Sequence, residues 1–100
     1  MITVEINNNK TIKVFGHANY AEYGSDIVCA SVSTAVYMSI NQIEVFDKQE
    51  CINTKIVEGN AYIEVVREDD TVSKVISNLI FTLRDLELQY PKYIKIKEKL

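Results

Sequence analysis

The chain has 100 residues, of which 47% are apolar and 25% are charged, and this composition fits one folded domain over residues 1–100 rather than two domains or a disordered chain. The formal net charge of −3 argues against nucleic acid as a partner, because binding a phosphate backbone requires clustered cations. No apolar run reaches the roughly 18 residues that cross a bilayer, and no secretory signal pattern opens the chain, so we expect a cytoplasmic protein without a membrane partner.

The first predicted element is a β-hairpin over residues 2–17. In ITVEI, and again in TIKVFGH, apolar and polar residues alternate, which is the period of a half-buried strand. The asparagine-rich segment 7–10 between the two runs is typical of a turn. The second strand therefore ends near His17, the single histidine of the chain.

A long helix and a second hairpin are predicted next. From Asp26 to about Phe46, apolar residues recur at helical spacing and form one core-facing stripe. Two short strand-like runs then flank Gly59-Asn60, a pair that suits the positive φ angles of a tight turn. We expect residues 52–68 to form this hairpin.

The last part of the chain is predicted to be a helix followed by a short strand. Acidic residues 68–70 precede apolar positions spaced by three and four, until Pro91 ends the helix. The tail alternates Ile94 and Ile96 with lysines, which favours a charge-protected edge strand. The order ββαββα(β) predicts an α+β fold, a two-layer sandwich in which a mainly antiparallel sheet from two hairpins carries two helices on one face. The strand order is left open.

The segment between the first hairpin and the helix carries the clearest chemistry. No period is visible from Ala18 to Ser25, so we expect a loop there, and Asp26 is a suitable N-cap after it. That assignment places Cys29 in the first helical turn, where free backbone N–H groups and the helix dipole favour a thiolate. A cationic His17 nearby would favour the thiolate further, and the same N–H groups would suit an oxyanion. The pattern is that of a cysteine nucleophile with a histidine partner.

A structural role for both residues deserves equal weight at this point, because most free cysteines and lone histidines only pack. Cys51 matches no motif and is interpreted as a packing residue. A reducing cytosol would keep both cysteines as thiols, and the possible donors lack the paired spacing of zinc sites. We therefore expect neither a disulfide nor a metal site.

The runs GHA (16–18), YGSDIVCA (23–30) and VS (32–33) together resemble the signature of the bacterial ribosomal-processing cysteine protease family, Prp. The similarity extends over nearly the whole chain. In that family the histidine of G-H-A and the cysteine of D-x-x-C-A form the catalytic dyad, which the resemblance carries over to His17 and Cys29. The resemblance also implies supporting positions at Asp26, Ala30 and Ser33.

The resemblance further implies an activity and its setting. Members of the family remove a short N-terminal extension from the twenty-seventh protein of the large ribosomal subunit, by a cut that follows a pair of aromatic residues. They are similar in being cytoplasmic homodimers without a cofactor.

Two supporting residues have alternative roles that the sequence leaves open. Asp26 either orients His17 or only caps the helix. Ser33 lies one helical turn after Cys29, where its hydroxyl either touches the site or bonds back to the Cys29 carbonyl, and the back-bond is favoured.

The segment from Ala18 to Ser25 either closes over a bound peptide or is an ordinary connection. As a lid it would use Tyr20 and Tyr23 as apolar contacts and Gly24 as a hinge. The sequence departs from the family at Ser31, where alanine or glycine is common, and it lacks a second glycine in this loop. These departures leave the dyad intact and put the mobility of the loop in question.

Regular alternation along the second strand would place His17 on the face opposite Ile12 and Val14. The backbone must therefore bend if His17 is to meet Cys29, and Gly16 is the residue that can permit a bulge or an abrupt exit from the strand.

A binding module is the alternative function from another class. Such a protein would hold ribosomal or assembly proteins through an exposed sheet edge or a dimer surface, without catalysis. A Cys29 thiol that reacts with an alkylating agent no faster than the thiol of an unfolded chain would favour this alternative.

Overall fold

The computed structural model describes residues 1–16, 23–57 and 59–99 and, for residues 23–26, the backbone alone. The two hairpins, the two long helices and the final strand occur in the predicted order. The elements are β1 (Ile2–Asn7), β2 (Thr11–Phe15), α1 (Tyr23–Val45), a short 3-10 helix (Gln49–Cys51), β3 (Ile52–Val57), β4 (Asn60–Val65), α2 (Asp70–Gln89) and β5 (Ile94–Lys99).

The strands form one five-stranded sheet in the order β3-β4-β2-β1-β5. Antiparallel pairing of β2 with β4 joins the two hairpins, with Lys13 opposite Tyr62. The strand β5 adds to the outside of β1 in parallel, with Ile94 opposite Ile2. The sheet is therefore mixed and mainly antiparallel, and the predicted α+β fold is confirmed.

One face of this sheet is buried beneath the two helices, which pack against each other. On β1, Ile2, Val4 and Ile6 are buried while the two residues between them are only half-buried, which is the alternation seen in the sequence. The stripe of α1 contributes apolar residues to the same core, among them Val28, Val32, Val36, Ile40 and Ile43.

The bounds of α2 follow from local sequence signals. The side chain of Asp69 accepts a hydrogen bond of 3.0 Å from the backbone N–H of Val72, which satisfies one of the free donors at the start of the helix. The helix ends at Gln89, two residues before Pro91. The acidic start and the proline stop that the sequence predicted are both confirmed.

The turn of the second hairpin differs slightly from the prediction. Gly59 has a φ of +77°, as expected, but Asn60 already belongs to β4 and pairs with Val57. Only the glycine of this pair therefore adopts the left-handed conformation that motivated the prediction.

The start of α1 was placed too late by the sequence. The helix begins at Tyr23, so Asp26 lies inside it rather than at its N-cap, and the predicted loop of residues 18–25 loses its last three residues to the first helical turn. Cys29 consequently lies in the second turn. The start of α1 was predicted at Asp26 because aspartate is a good capping residue and this one stands just before the apolar stripe. Tyr23, Gly24 and Ser25 show no apolar period that would have indicated an earlier start.

The tail forms the edge strand that its pattern favoured. Ile94 is buried, whereas Lys95, Lys97 and Lys99 are exposed. Within the described ranges, no helix combines the length and the apolar character needed to cross a membrane.

Candidate active site

A cleft of about 390 Å³ lies between α1 and one end of the sheet. One wall is a single face of α1, because residues 29, 32, 33, 36 and 37 are spaced by three and four and so project from the same side. The remaining described lining comes from β1, β2 and the β3–β4 hairpin: Ile2, Val14, Gly16, Ile56, Val57, Gly59, Asn60 and Ala61.

Cys29 lies in this wall and is half-buried, so part of its thiol side chain borders the cleft. The other cysteine, Cys51, is 2% exposed and belongs to the hydrophobic core, as the sequence predicted. Both are free thiols. Of the two, only Cys29 is placed where a molecule in the cleft can reach it.

The polar groups around the cleft are few. Ser33 is exposed on the same face of α1, one turn after Cys29. Tyr37 is 49% exposed and Asn60 is exposed as well, so both lie at the rim. The walls themselves are apolar, with Val32 and Val36 each 3% exposed.

The predicted back-bond from Ser33 is wrong for this structure. Among the described residues, Ser33 donates no hydrogen bond to the Cys29 carbonyl, whereas Ser31 donates one of 2.8 Å to the carbonyl of Ile27. Ser33 lines the cleft, and contact with the site therefore stays as the other role that the sequence left open. The serine at position 31, where the family commonly has alanine or glycine, thus has a hydroxyl that hydrogen-bonds within α1.

Gly16, the residue that was expected to let the backbone bend after β2, has a positive φ. Its φ is +92°, a conformation that side chains rarely adopt, and a Cβ at this position would lie 2.6 Å from the carbonyl oxygen of Met1. Its N–H donates a hydrogen bond of 3.2 Å to the carbonyl of Gly59. This hydrogen bond connects the residue after β2 to the turn between β3 and β4.

For most of the other predicted site residues, the structure describes either the backbone alone or nothing. His17 and Tyr20 lie outside the described residues. Tyr23 and Gly24 belong to the first turn of α1 rather than to a loop, and Asp26 follows them in the same helix. Ala30 is exposed next to Cys29, and it is absent from the described lining of the cleft.

The early start of α1 also changes the expected electrostatics. The free backbone N–H groups of a helix belong to its first turn, which here is formed by residues 23–26. The N–H of Cys29 lies one turn further on, where helical hydrogen bonding uses it. The idea that free N–H groups of the helix start lie beside the thiol and bind an oxyanion is therefore wrong for this structure.

No group of three histidine, cysteine, aspartate or glutamate side chains that could hold a metal ion is found in the part of the chain that the structure describes. The described lining of the cleft contains no charged residue either. Among the described residues, the arrangement offers one thiol beside a mainly apolar groove that is open to solvent.

The sequence did not indicate that the β3–β4 hairpin helps to form the site. Ile56, Val57 and Ala61 follow Cys29 by about thirty residues and reach the cleft only because β4 pairs with β2. Val14 opposite Ala61 is the contact that brings the two hairpins together at this point. The alternating pattern of residues 52–65 indicated strands, and nothing in it indicated a functional site.

Comparison with known proteins identifies the family of this chain. The family model described as cysteine protease Prp matches residues 1–95. The chain is 32% identical to the ribosomal processing cysteine protease Prp of Staphylococcus aureus strain Mu50, in an alignment of 106 residues that covers 99% of this chain and 100% of that protein.

Two crystal structures of the ribosomal processing protease Prp from S. aureus have the same fold. The structure in complex with a substrate peptide gives a TM-score of 0.88 at 28% identity and covers 99% of this chain and 100% of that one. The structure with a covalently linked product peptide gives a TM-score of 0.86 at 29% identity, with the same coverage. The match of the family model over residues 1–95, together with this agreement in sequence and fold, shows that the chain belongs to the Prp family of cysteine proteases and is a cysteine peptidase.

Proposed function

We propose that this cysteine peptidase is a site-specific endopeptidase that removes the N-terminal extension of a ribosomal protein, the twenty-seventh of the large subunit. The observation that carries the proposal is the contrast between the cysteines: Cys29 borders an open cleft, while Cys51 is closed in the core. The S. aureus relative, a ribosomal processing protease, has been crystallised with a substrate peptide. The resemblance of the GHA and YGSDIVCA runs to the family signature supports the specific substrate.

In the proposed mechanism, the Cys29 thiolate attacks the scissile carbonyl and His17 protonates the departing amine. The peptide bond breaks, a thioester forms on the Cys29 sulfur, and the C-terminal fragment leaves. A water molecule that gives its proton to His17 then attacks the thioester, which releases the extension as a carboxylic acid and restores the Cys29 thiolate and the protonated His17. A covalently linked product peptide in the S. aureus relative supports a covalent route.

Gly16 supports the pairing of His17 with Cys29. Because Gly16 lines the cleft together with Cys29, the backbone that leads directly into His17 passes the same opening. We assign Ser33 to substrate contact, since it lines the cleft and is exposed. Asp26 remains a candidate to orient His17, now that the role of helix cap is removed.

Four further residues stay proposals from the sequence. Ala30 is a small supporting residue next to the nucleophile, and Tyr20 provides an apolar contact to the substrate. Tyr23 and Gly24, at the start of α1, would join the peptide contact from the helix end rather than from a loop.

We further propose that the protein acts in the cytoplasm, where ribosomal proteins are made, as a homodimer without a cofactor, a membrane partner or direct contact to nucleic acid. Exposed apolar side chains on the helices support dimerisation, since a second copy would cover some of them. These are Met38, Val45, Phe81 and Leu88, with exposed fractions of 68%, 78%, 72% and 80%. Light scattering after size-exclusion chromatography measures the mass of the particle directly.

Mass spectrometry of the ribosomal protein with its extension tests the proposed activity. The substrate is incubated with the wild type and with the Cys29→Ala, His17→Ala and Cys51→Ala variants, each shown to be folded by circular dichroism. We expect one cut by the wild type and by Cys51→Ala, whereas the loss of either dyad member lowers the rate by at least about 10⁴-fold.

Two results would overturn the proposal. If the Cys29→Ala variant cuts at the wild-type rate, Cys29 is not the nucleophile. If folded, reduced wild type leaves the extension intact both on the free ribosomal protein and on the assembled large subunit, the proposed substrate is wrong.

A further inference from the structure

The floor of the cleft beside Cys29 is a row of three side chains on neighbouring strands. Val14 on β2 lies opposite Ala61 on β4, and Ala61 lies opposite Ile56 on β3. Directly opposite residues of paired strands point to the same face of a sheet. All three residues line the cleft, so the row forms its floor with the smallest side chain in the middle.

Ala61 is small at a position where this sheet otherwise carries large residues. The next row on the same face contains Ile12 and Ile63, which lie opposite each other and are 1% and 2% exposed. Ala61 is only half-buried although β4 is an interior strand. Its single methyl group therefore leaves unfilled the space that a larger side chain would occupy.

The walls above this position favour an apolar occupant. Val32 and Val36 on α1 face the cleft and are almost completely buried. None of the described lining residues is charged, so a charged side chain that lost its hydration beside them would gain no ionic partner from them. A large apolar side chain would instead remove apolar surface from water on both partners.

We propose that Ala61 is a specificity-determining residue, which gives the cleft the depth to accept a large apolar side chain of the substrate. The inference rests on the proposed function, because it takes Cys29 as the nucleophile. When the Cys29 sulfur attacks a carbonyl carbon, the residue that supplies this carbonyl has its Cβ only two bonds away. That side chain is the substrate side chain nearest to the thiol, and we assign it to the space above Ala61.

Substitutions at Ala61 test this assignment through substrate choice. Three peptides differ only in the residue that supplies the scissile carbonyl, which is Phe, Leu or Ala. We expect Ala61→Ile to lower kcat/KM for the Phe peptide by about 10- to 200-fold and to leave the Ala peptide nearly unchanged. Ala61→Val adds less volume, so we expect a smaller loss of kcat/KM for the Phe peptide. This variant replaces Ala61→Ile in the test if Ala61→Ile does not fold.

Thr54→Ile is the matched control. Thr54 lies on β3 two residues before Ile56, opposite Ile63, and it is outside the described lining of the cleft. The substitution adds a branched apolar side chain to the same face of the sheet, one row away from the cleft. It is expected to keep the wild-type ratio of kcat/KM values for the Phe and Ala peptides.

Binding separates a failure of this inference from a failure of the proposed function. Fluorescence anisotropy compares the affinity of the labelled peptides for Cys29→Ala and for the double variant Cys29→Ala with Ala61→Ile, neither of which needs to cleave. We expect the second substitution to weaken the Phe peptide selectively. Equal effects on the Phe and Ala peptides, or no effect, in binding and in cleavage would overturn the role of Ala61 while the proposed peptidase stands. Selective weakening in binding, with no cleavage of any peptide by the wild type, would support an apolar space above Ala61, while contradicting the peptidase activity on which its assignment to the scissile residue rests.

Discussion

At the scale of single residues, the positions of the two cysteines decide how the chemistry is assigned. Cys29 and Cys51 have the same side chain, and composition alone gives no reason to prefer one as the nucleophile. The motif around Cys29 favoured it, and the structure places it at a cleft while Cys51 lies in the core. The preference for Cys29 over Cys51 could therefore be predicted from the sequence. The shape of the cleft could not, because its lining comes from four separate parts of the chain.

Gly16 is the residue with the sharpest local expectation from sequence alone. An alternating strand that must deliver His17 to a helix needs a backbone turn, and a glycine at that point supplies it. The structure shows a positive φ at Gly16, and a Cβ added at this position would lie too close to the carbonyl oxygen of Met1. The second observation depends on how β1 and β2 pair, so the sequence could not provide it.

We predict that Gly16→Ala lowers the free energy of unfolding by about 1–3 kcal/mol, because alanine would be strained at this φ and its Cβ would approach the Met1 oxygen. Displacement of the segment that leads into His17 is also expected to lower kcat/KM by about 100-fold. Urea unfolding followed by circular dichroism measures the first effect, and peptide cleavage under conditions where the variant is folded measures the second. Wild-type values for both would show that this backbone conformation is dispensable.

At the scale of elements, the two helices show what sequence signals can and cannot locate. The bounds of α2 were predictable because a capping aspartate, an amphipathic stripe and a proline all agree. The start of α1 was not, because Asp26 offers a capping signal that the structure does not use and Tyr23, Gly24 and Ser25 offer no apolar period. Competing local signals thus displaced the prediction by three residues, and with it the expected position of Cys29 relative to the helix end.

The start of α2 also carries a predicted pH dependence. The backbone N–H of Val72 and the ammonium of Lys48, 3.0 Å from the carboxylate, hold the pKa of Asp69 below its ordinary value of 3.8. A carboxyl group whose pKa is lower in the folded state contributes stability above its unfolded pKa and loses this contribution as the pH falls through the folded value. The contribution is therefore complete near neutral pH and disappears below about pH 4.

We predict that Asp69→Asn, which keeps an acceptor for the Val72 N–H but removes the charge, is less stable than the wild type at pH 7. The difference in urea midpoint should shrink as the pH falls below 3.8. Asp70→Asn is the matched control, because Asp70 pairs with Lys74 at a position where both side chains are more than three-quarters exposed, and such pairs contribute little. A difference between Asp69→Asn and the wild type that stays constant from pH 7 to pH 2 would contradict the charge-based explanation.

At the scale of the whole molecule, one core joins the sheet to both helices. Strand residues such as Ile6 and helix residues such as Ile43 and Leu83 belong to a single cluster of buried side chains. The alternating and helical periods in the sequence predicted most of these positions, since each stripe needs a partner to cover it. The order of the strands was not predictable, because it depends on which hairpin edges meet and not on the pattern of either hairpin.

We predict that Leu83→Ala, at a fully buried position of α2, lowers the free energy of unfolding by about 2–5 kcal/mol, because it leaves a cavity in the shared core. Leu88→Ala is the matched control on the same helix, since Leu88 is 80% exposed and its truncation should change stability by less than about 0.5 kcal/mol. Urea unfolding of both variants measures the contrast. Equal losses would show that the core does not extend beneath α2 as described.

The two edge strands of the sheet, β5 and β3, differ in the side chains that they expose. The strand β5 carries exposed lysines along an open edge, a pattern that discourages pairing with other chains. The opposite edge strand, β3, ends in the exposed apolar residues Ile56 and Val57, which border the cleft. The cleft therefore lies beside the edge strand that ends in exposed apolar residues.

The central claim is that Cys29 is the nucleophile of a peptidase, and trapping the covalent intermediate tests it most directly. The wild type is mixed with a substrate peptide, quenched in acid at early times, and examined by intact-mass measurement and peptide mapping. We predict a mass increase equal to the N-terminal fragment of the substrate, carried as a thioester by Cys29, present in Cys51→Ala and absent in Cys29→Ala. A fragment carried by Cys51, or product formed at the wild-type rate by Cys29→Ala, would contradict the account.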